Sequence, residues 1–166
     1  MGRLFAAGAE NATLGTGNVL LAFRTAASPN AGCVIAIRRI EIGQSGSVTS
    51  AMIRAEVATR DTAGTLTMTS VTPSNVVMAG PASGLSGNTA PVGAAARIGV
   101  NSSADSGGTY TQRRPFNFNN LNGYLWVPTP EERKIVPPDS VFTLRLLAAP
   151  ATTTGWTFSV EFEEII

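Results

Sequence analysis

Residues 154–166 read TGWTFSVEFEEII, and within them Trp156, Phe158, Val160 and Phe162 alternate with Thr157, Ser159, Glu161 and Glu163. Side chains of a pleated strand point to opposite sides with a period of two, so this stretch predicts a strand with one dry face and one wet face. Large apolar side chains on the dry face need a cover. The expected cover is a second sheet of the same domain.

The rest of the chain supports that reading. Ten prolines and seventeen glycines punctuate it, and no stretch places apolar residues at helical spacing for three turns. Strand-like segments fall near 18–26, 33–43, 47–59, 63–70, 122–128, 140–148 and 155–164, with weaker ones around 3–7, 75–79, 96–100 and 109–118. In 47–59, Ala51, Ile53, Ala55 and Val57 share one side and Met52, Arg54 and Glu56 the other; in 140–148, Phe142, Leu144 and Leu146 oppose Thr143 and Arg145. In 33–43 the apolar set shifts from Cys33, Ile35 and Ile37 to Ile40 and Ile42 across Arg38-Arg39, which predicts either a β-bulge or burial on both faces. Many short strands with Gly and Pro turns give an all-β sandwich or barrel, expected as a single domain over residues 1–166. Residues 71–109 are rich in Gly, Ala, Ser and Pro and are expected to form short strands and extended loops, some ordering only against a neighbouring subunit.

Two turns are well specified. Pro137-Pro138-Asp139-Ser140 should redirect the chain before the strand that follows. Asn122-Gly123 is the usual pair of a type I′ hairpin, which would set Leu121 opposite Tyr124 and Phe118 opposite Val127. In that register Phe118, Leu125 and Val127 share one face, and Leu121, Tyr124 and Trp126 the other. One face joins the core; the second makes Leu121, Tyr124 and Trp126 the candidate subunit interface, unless a larger Greek-key core covers both.

Twelve Lys and Arg against eleven Asp and Glu leave a net charge of +1, and the cations are scattered, a poor footprint for nucleic acid. Charged residues make up 14% of the chain, against about 25% in an ordinary soluble domain. Such a surface is either an uncharged Thr-, Ser- and Asn-rich exterior or one partly covered in an assembly. The N-terminal segment is too short for a secretory or membrane-spanning stretch, and Ala6 stands where a myristoylation signal at Gly2 wants Ser or Thr. No membrane role is expected, and synthesis is expected in the cytoplasm.

Candidate chemistry is sparse. The chain has no histidine and one cysteine, Cys33, which removes the common nucleophile-base arrangements and most zinc sites; Cys33 reads as a small buried hydrophobe. Lys134, the one lysine, lies in the charged loop PEERK. Glu161 and Glu163 share one side of their strand about 7 Å apart, near the spacing of an inverting glycosidase, but solubilising side chains are the expected role. No phosphate-binding glycine motif occurs, and Asn101-Ser102-Ser103 matches a glycosylation sequon without a secretory signal. The expectations are no catalytic residue, no cofactor and no metal. Phe116, Phe118, Tyr124 and Trp126 could stack on sugar rings, although aromatic residues in strand pairs are more often core.

Residues 37–64, IRRIEIGQSGSVTSAMIRAEVATRDTAG, and 124–164, YLWVPTPEERKIVPPDSVFTLRLLAAPATTTGWTFSVEFEE, together resemble small virion proteins of tailed bacteriophages, the head decoration or cement class built on jelly-roll sandwiches. The likeness is an order of parts covering under half the chain. A hydrophobic-arginine strand passes through a Gly/Ser turn to a second strand; later an aromatic strand precedes VPPDS, a Leu/Arg strand, an Ala/Pro/Thr loop and a final alternating strand. It implies a jelly-roll fold and a structural, non-enzymatic homo-oligomer, with a trimer favoured. It also implies a place on the outside of the virion, where the protein clamps the major capsid protein after synthesis in the bacterial host. A carbohydrate- or receptor-binding β-sandwich module of a phage tail or spike is the alternative.

Overall fold

The structure is a computed structural model that describes residues 3–25, 34–61, 65–76, 83, 97–105 and 107–165. Cys33 and much of the loop-rich stretch before residue 97 lie outside the described residues. The described chain is all-β. Its strands are β1 (Arg3–Ala12), β2 (Val19–Arg24), β3 (Val34–Gln44), β4 (Met52–Arg60), β5 (Leu66–Ser70), β6 (Ser74–Asn75), β7 (Arg97–Asp105), β8 (Tyr110–Asn119), β9 (Tyr124–Trp126), β10 (Ile135–Val136), β11 (Val141–Leu146) and β12 (Trp156–Ile165), with one 3-10 turn at Pro130–Glu132.

Two antiparallel sheets pack face to face as a β-sandwich. The first runs β10-β3-β12-β1-β6, with β9 also paired to β3; the second runs β5-β7-β2-β11-β4-β8. The pairing is nested: β1 pairs with β12, β2 with β11, β3 with β9 and β10, and β4 with β8. Strands β5, β6 and β7 come between β4 and β8 in sequence and extend the sheets beside β2 and β1.

The opening alternation does what it predicts. Trp156, Phe158, Val160 and Phe162 are buried in the core between the sheets, while Thr157, Ser159, Glu161 and Glu163 lie on the outer face of the first sheet. A file of rings crosses the sandwich, Phe5 to Phe162 at 6.0 Å, Phe162 to Phe23 at 5.5 Å, and Phe23 stacked on Phe142 at 4.8 Å. Offset and tilted contacts of this kind suit the quadrupoles of the rings. Trp156 closes one end of the core, and its buried indole Nε1–H donates to the Thr152 carbonyl at 2.9 Å.

The expected bulge in β3 is present. Glu161 opposes Arg39 and Phe162 opposes Ile37, so Arg38 is the extra residue, and Ile35, Ile37, Ile40 and Ile42 are all buried in the core on either side of it. Strand β1 runs well past the segment expected near 3–7. Its interior, AAGA, has low β-propensity, but Gly8 lets it lie flat against β12: a Cβ there would stand 2.1 Å from the Phe158 carbonyl oxygen. The Pro137-Pro138-Asp139-Ser140 turn carries the chain from β10 in the first sheet to β11 in the second. Asp139 adopts φ 53°, and Thr25 Oγ1 donates to the Pro137 carbonyl at 2.7 Å.

Candidate functional site

The Asn122-Gly123 segment is a corner, not a hairpin. Strand β8 pairs with β4 and β9 pairs with β3, so residues 119–123 carry the chain from one sheet to the other. Gly123 has φ 69°, while Asn122 is absent from the left-handed residues that a type I′ turn would need at both positions. Gly123 N–H and Asn122 N–H both donate to the Asn119 carbonyl. Asn120 is buried beneath them and ties the corner down. Its Oδ1 accepts from Ala51 N–H at 2.7 Å, and its Nδ2 donates to the Thr49 carbonyl at 3.0 Å and Gln44 Oε1 at 3.2 Å.

This corner reassigns the faces expected from a hairpin. Tyr124 opposes Ile42 and turns inward, stacking on Phe116 at 4.0 Å with Phe118 at 6.0 Å. Burial raises the Tyr124 phenol pKa, partly offset by the positive charge of Arg114. Trp126 opposes Ile40, packs on the core and carries the Arg114 guanidinium 4.4 Å from its ring centre. Phe118 therefore groups with Tyr124, not with Leu125 and Val127. Of Leu121, Tyr124 and Trp126, the two aromatic residues are half-buried in the sandwich wall and Leu121 is exposed.

The apolar side chains left facing solvent here are Val127, Leu125, Leu121 and Ile135, at 63%, 58%, 48% and 46% exposure. They follow the free edge of the first sheet, where β9 and β10 lie end to end along β3. Strand β8, the edge of the second sheet, stands beside them: Lys134 Nζ donates to Gln112 Oε1 at 2.8 Å and to its carbonyl at 3.1 Å. Burial lowers the Lys134 pKa. The edge of β8 itself is poorly suited to strand addition, since Arg113, Arg114 and Pro115 are exposed along it and Gln112 takes φ 45° where the register shifts. Arg114, Arg133 and Lys134 form no ion pair among the described residues. The sequence signal for this wall was weak, because Val127 and Ile135 flank the charged PTPEERK loop and do not alternate.

A trough crosses the outer face of the first sheet. Two open depressions of about 490 Å³ and about 430 Å³ share Glu41, Thr157 and Ser159. Leu121 and Leu125 border one end, Val71 and Thr72 the other, and Gly8 and Gly43 form part of the floor. Among the described lining residues the charged ones are Glu10 and Glu41. Glu161 and Glu163, whose spacing invited a catalytic reading, stand beside this trough in ion pairs. Arg39 binds Glu41 and reaches Glu161 at 3.5 Å, and Arg38 binds Glu163.

The second sheet carries a buried charge network on its outer face. Glu56, expected on a wet face, is fully buried. Its Oε2 accepts from Arg113 Nε at 2.7 Å and its Oε1 from Arg145 Nε at 2.7 Å. Arg145 lies 3.5 Å from the Tyr110 ring centre, the Tyr110 hydroxyl donates to Asp105 at 2.6 Å, and buried Arg60 holds the same carboxylate at 2.8 Å. Desolvation, the hydrogen bond to Asp105 and that carboxylate's charge push the Tyr110 pKa up to about 12, against the opposing pull of Arg145 and Arg60. Four strands, β4, β7, β8 and β11, are tied together by it.

The Asn101 sequon is used structurally: its Oδ1 accepts from Gly15 N–H at 2.7 Å and its Nδ2 donates to the Thr13 carbonyl at 2.6 Å, with φ 53°. Among the described residues no three His, Cys, Asp or Glu side chains are grouped to hold a metal ion, and no helix is long and apolar enough to cross a membrane. No protein-family model, curated protein or solved structure matches the chain.

Proposed function

We propose that the chain is a structural virion protein, a decoration or cement protein that binds the outer surface of a phage head as a homo-oligomer and stabilises it. The observation that carries this reading is the wall of Leu121, Leu125, Val127 and Ile135 on a surface otherwise short of charge. With 7852 Å² of accessible surface, the chain exposes the ~7,800 Å² of a compact monomer of its mass, yet has only 23 charged side chains to solvate it. Exposed apolar side chains gathered along one edge mark contact surfaces. Many copies of a stiff sandwich, each bridging neighbouring major capsid proteins, convert modest contacts into strong binding through avidity.

The nested strand pairing supports a jelly roll in particular. A jelly roll is a long antiparallel hairpin rolled up, so that the first strand pairs with the last, the second with the next to last, and so on inward. The pairs β1–β12, β2–β11, β3–β9/β10 and β4–β8 follow that rule, with β5–β7 as an insertion. Fold alone does not assign function.

The test is addition of the purified chain to phage heads stripped of accessory proteins, read by co-sedimentation and by the temperature at which the heads release DNA. Bound protein at regular surface positions and a raised release temperature are expected. Heads that neither bind the chain nor gain resistance would overturn the reading. A carbohydrate- or receptor-binding module of a tail or spike is the second reading, favoured by the open trough with Asn122 and Thr72 in its lining. Glycan-array binding by a chain that ignores the heads would select it.

A further inference from the structure

We propose, resting on the reading of the wall as a contact surface, that it docks an acidic segment of a different protein, one that carries apolar side chains beside its carboxylates. Where the decoration role holds, that segment belongs to the major capsid protein.

The cations that the chain leaves unpaired gather at this edge. Arg24, Arg38, Arg39, Arg60, Arg113 and Arg145 each hold a carboxylate of their own chain. Arg114, Arg133 and Lys134 hold none among the described residues. The Arg114 guanidinium lies over the Trp126 ring, Arg133 Nε is buried without a hydrogen-bond partner, and Lys134 donates to the neutral Gln112. Glu56 adds to the surplus, because its single negative charge is shared by Arg145 and by Arg113, whose side chain is half exposed. Against these cations stand Glu131 and Glu132 of the adjoining turn, and Glu132 is engaged with Thr129. The edge keeps a positive surplus in a chain whose net charge is only +1.

Apolar side chains run beside these cations. Leu125 and Val127 flank Trp126, whose ring carries Arg114, and Ile135 follows Lys134 directly. A segment that covers the apolar row excludes water from the neighbouring charges, and ion pairs formed in that drier setting are stronger than exposed ones.

A second copy does not supply the complement. Glu41, Glu161 and Glu163 are paired with Arg38 and Arg39, Asp139 with Arg24, and Asp105 with Arg60. Asp61 accepts from Thr109 N–H, and Glu164 is buried beside Ser83. Outside the edge, Glu10 is the one carboxylate without a partner among the described residues, too few to match several cations. Nucleic acid, the other polyanion, is disfavoured. The rings that would stack on bases, Tyr124 and Trp126, are turned onto the core, and Glu131 and Glu132 are exposed beside the cations.

The test is fluorescence anisotropy with three short labelled peptides, one interspersing Leu with Glu, one Leu with Lys and one Ser with Glu. The Leu/Glu peptide is expected to bind at least about tenfold more tightly than either of the others. Its binding should weaken as salt is raised from about 0.01 M, where charges are felt over about 30 Å, to about 1 M, where they are felt over about 3 Å. Arg133→Glu should weaken it by at least about tenfold and Val127→Ser by a few-fold. Arg3→Glu changes the total charge equally but lies on β1, two strands beyond β3, and should leave it unchanged. No binding of the Leu/Glu peptide, equal binding of the Leu/Lys peptide, or Arg133→Glu binding as tightly as Arg3→Glu overturns the acidic contact. A preference for duplex DNA over the Leu/Glu peptide also overturns it and assigns the edge to nucleic acid. Stripped heads separate this contact from the decoration role. Heads that bind Arg133→Glu and Arg3→Glu equally well refute the acidic contact and leave decoration standing, whereas heads that ignore the chain while the peptides still discriminate refute decoration and leave the acidic contact standing.

Discussion

Replacing Glu56 by glutamine removes one negative charge from a fully buried site between two arginines, and its cost can be worked from the geometry. Each carboxylate oxygen accepts a charge-assisted hydrogen bond at 2.7 Å, and such bonds contribute about 1.5–3 kcal/mol each. The two guanidiniums differ in their freedom to find water. The Arg113 side chain is 51% exposed and can swing out, whereas Arg145 is 21% exposed and held over the Tyr110 ring. Glutamine retains the shape and one acceptor, so the loss should fall at the low end of the range for breaking a buried pair, about 3 kcal/mol. For a chain of this length that lowers Tm by about 9 °C. Glu161→Gln is the control. Its partner Arg39 is 3.5 Å away and both side chains are partly exposed, so the cost should be below ~1 kcal/mol and should vanish in high salt. Calorimetric melts of both variants, at one protein concentration because assembly shifts Tm, provide the comparison. Equal costs for the two, or a Glu56→Gln loss under ~1 kcal/mol, would refute the claim that burial of this carboxylate ties the second sheet together.

Phe162→Ala should cost about 3–5 kcal/mol, because it opens a cavity between Phe5 and Phe23 where the two sheets meet; a melt within a few degrees of the parent would contradict that central position. Gly8→Ala should destabilise by about 1–3 kcal/mol through its clash with the Phe158 carbonyl, while Gly43→Ala, with open space above it, should be neutral or stabilising by up to about 1 kcal/mol. Chemical denaturation of the pair would expose an error if the order reversed. Tyr110 is favoured as the neutral phenol in the fold, with a pKa raised from 10.0 to about 12. Its contribution to stability is therefore complete below pH 10 and is lost as pH rises through about 12. The chain has two tyrosines, both raised by burial, so ultraviolet titration of phenolate should show neither ionising at the unfolded value, with the step at about 12 absent in Tyr110→Phe. A normal tyrosine step in the folded parent that disappears in Tyr110→Phe would count against the Asp105 contact.

The alternation in residues 154–166 determined by itself that this segment is a strand and which side chains it buries, because a period of two is a property of the local backbone and its burial. The Arg38-Arg39 bulge was legible for the same reason: the apolar set changes phase within a single strand. Only the tertiary structure decided which strands are neighbours. Asn122-Gly123 marks a reversal, but whether the flanking strands pair with each other depends on long-range partners, and here Phe118 finds Ile53 while Tyr124 finds Ile42 in the opposite sheet. That pairing turns Tyr124 and Trp126 onto the core and leaves Leu125, Val127 and Ile135 on the wall, an outcome no local pattern encodes. Glu56 is the clearest case. Its phase in β4 correctly placed it on the outer face, yet that face is dry there because arginines from β8 and β11, more than fifty residues away, close over it. Sequence pattern fixes the side of a strand on which a residue stands, and the fold decides whether water reaches that side.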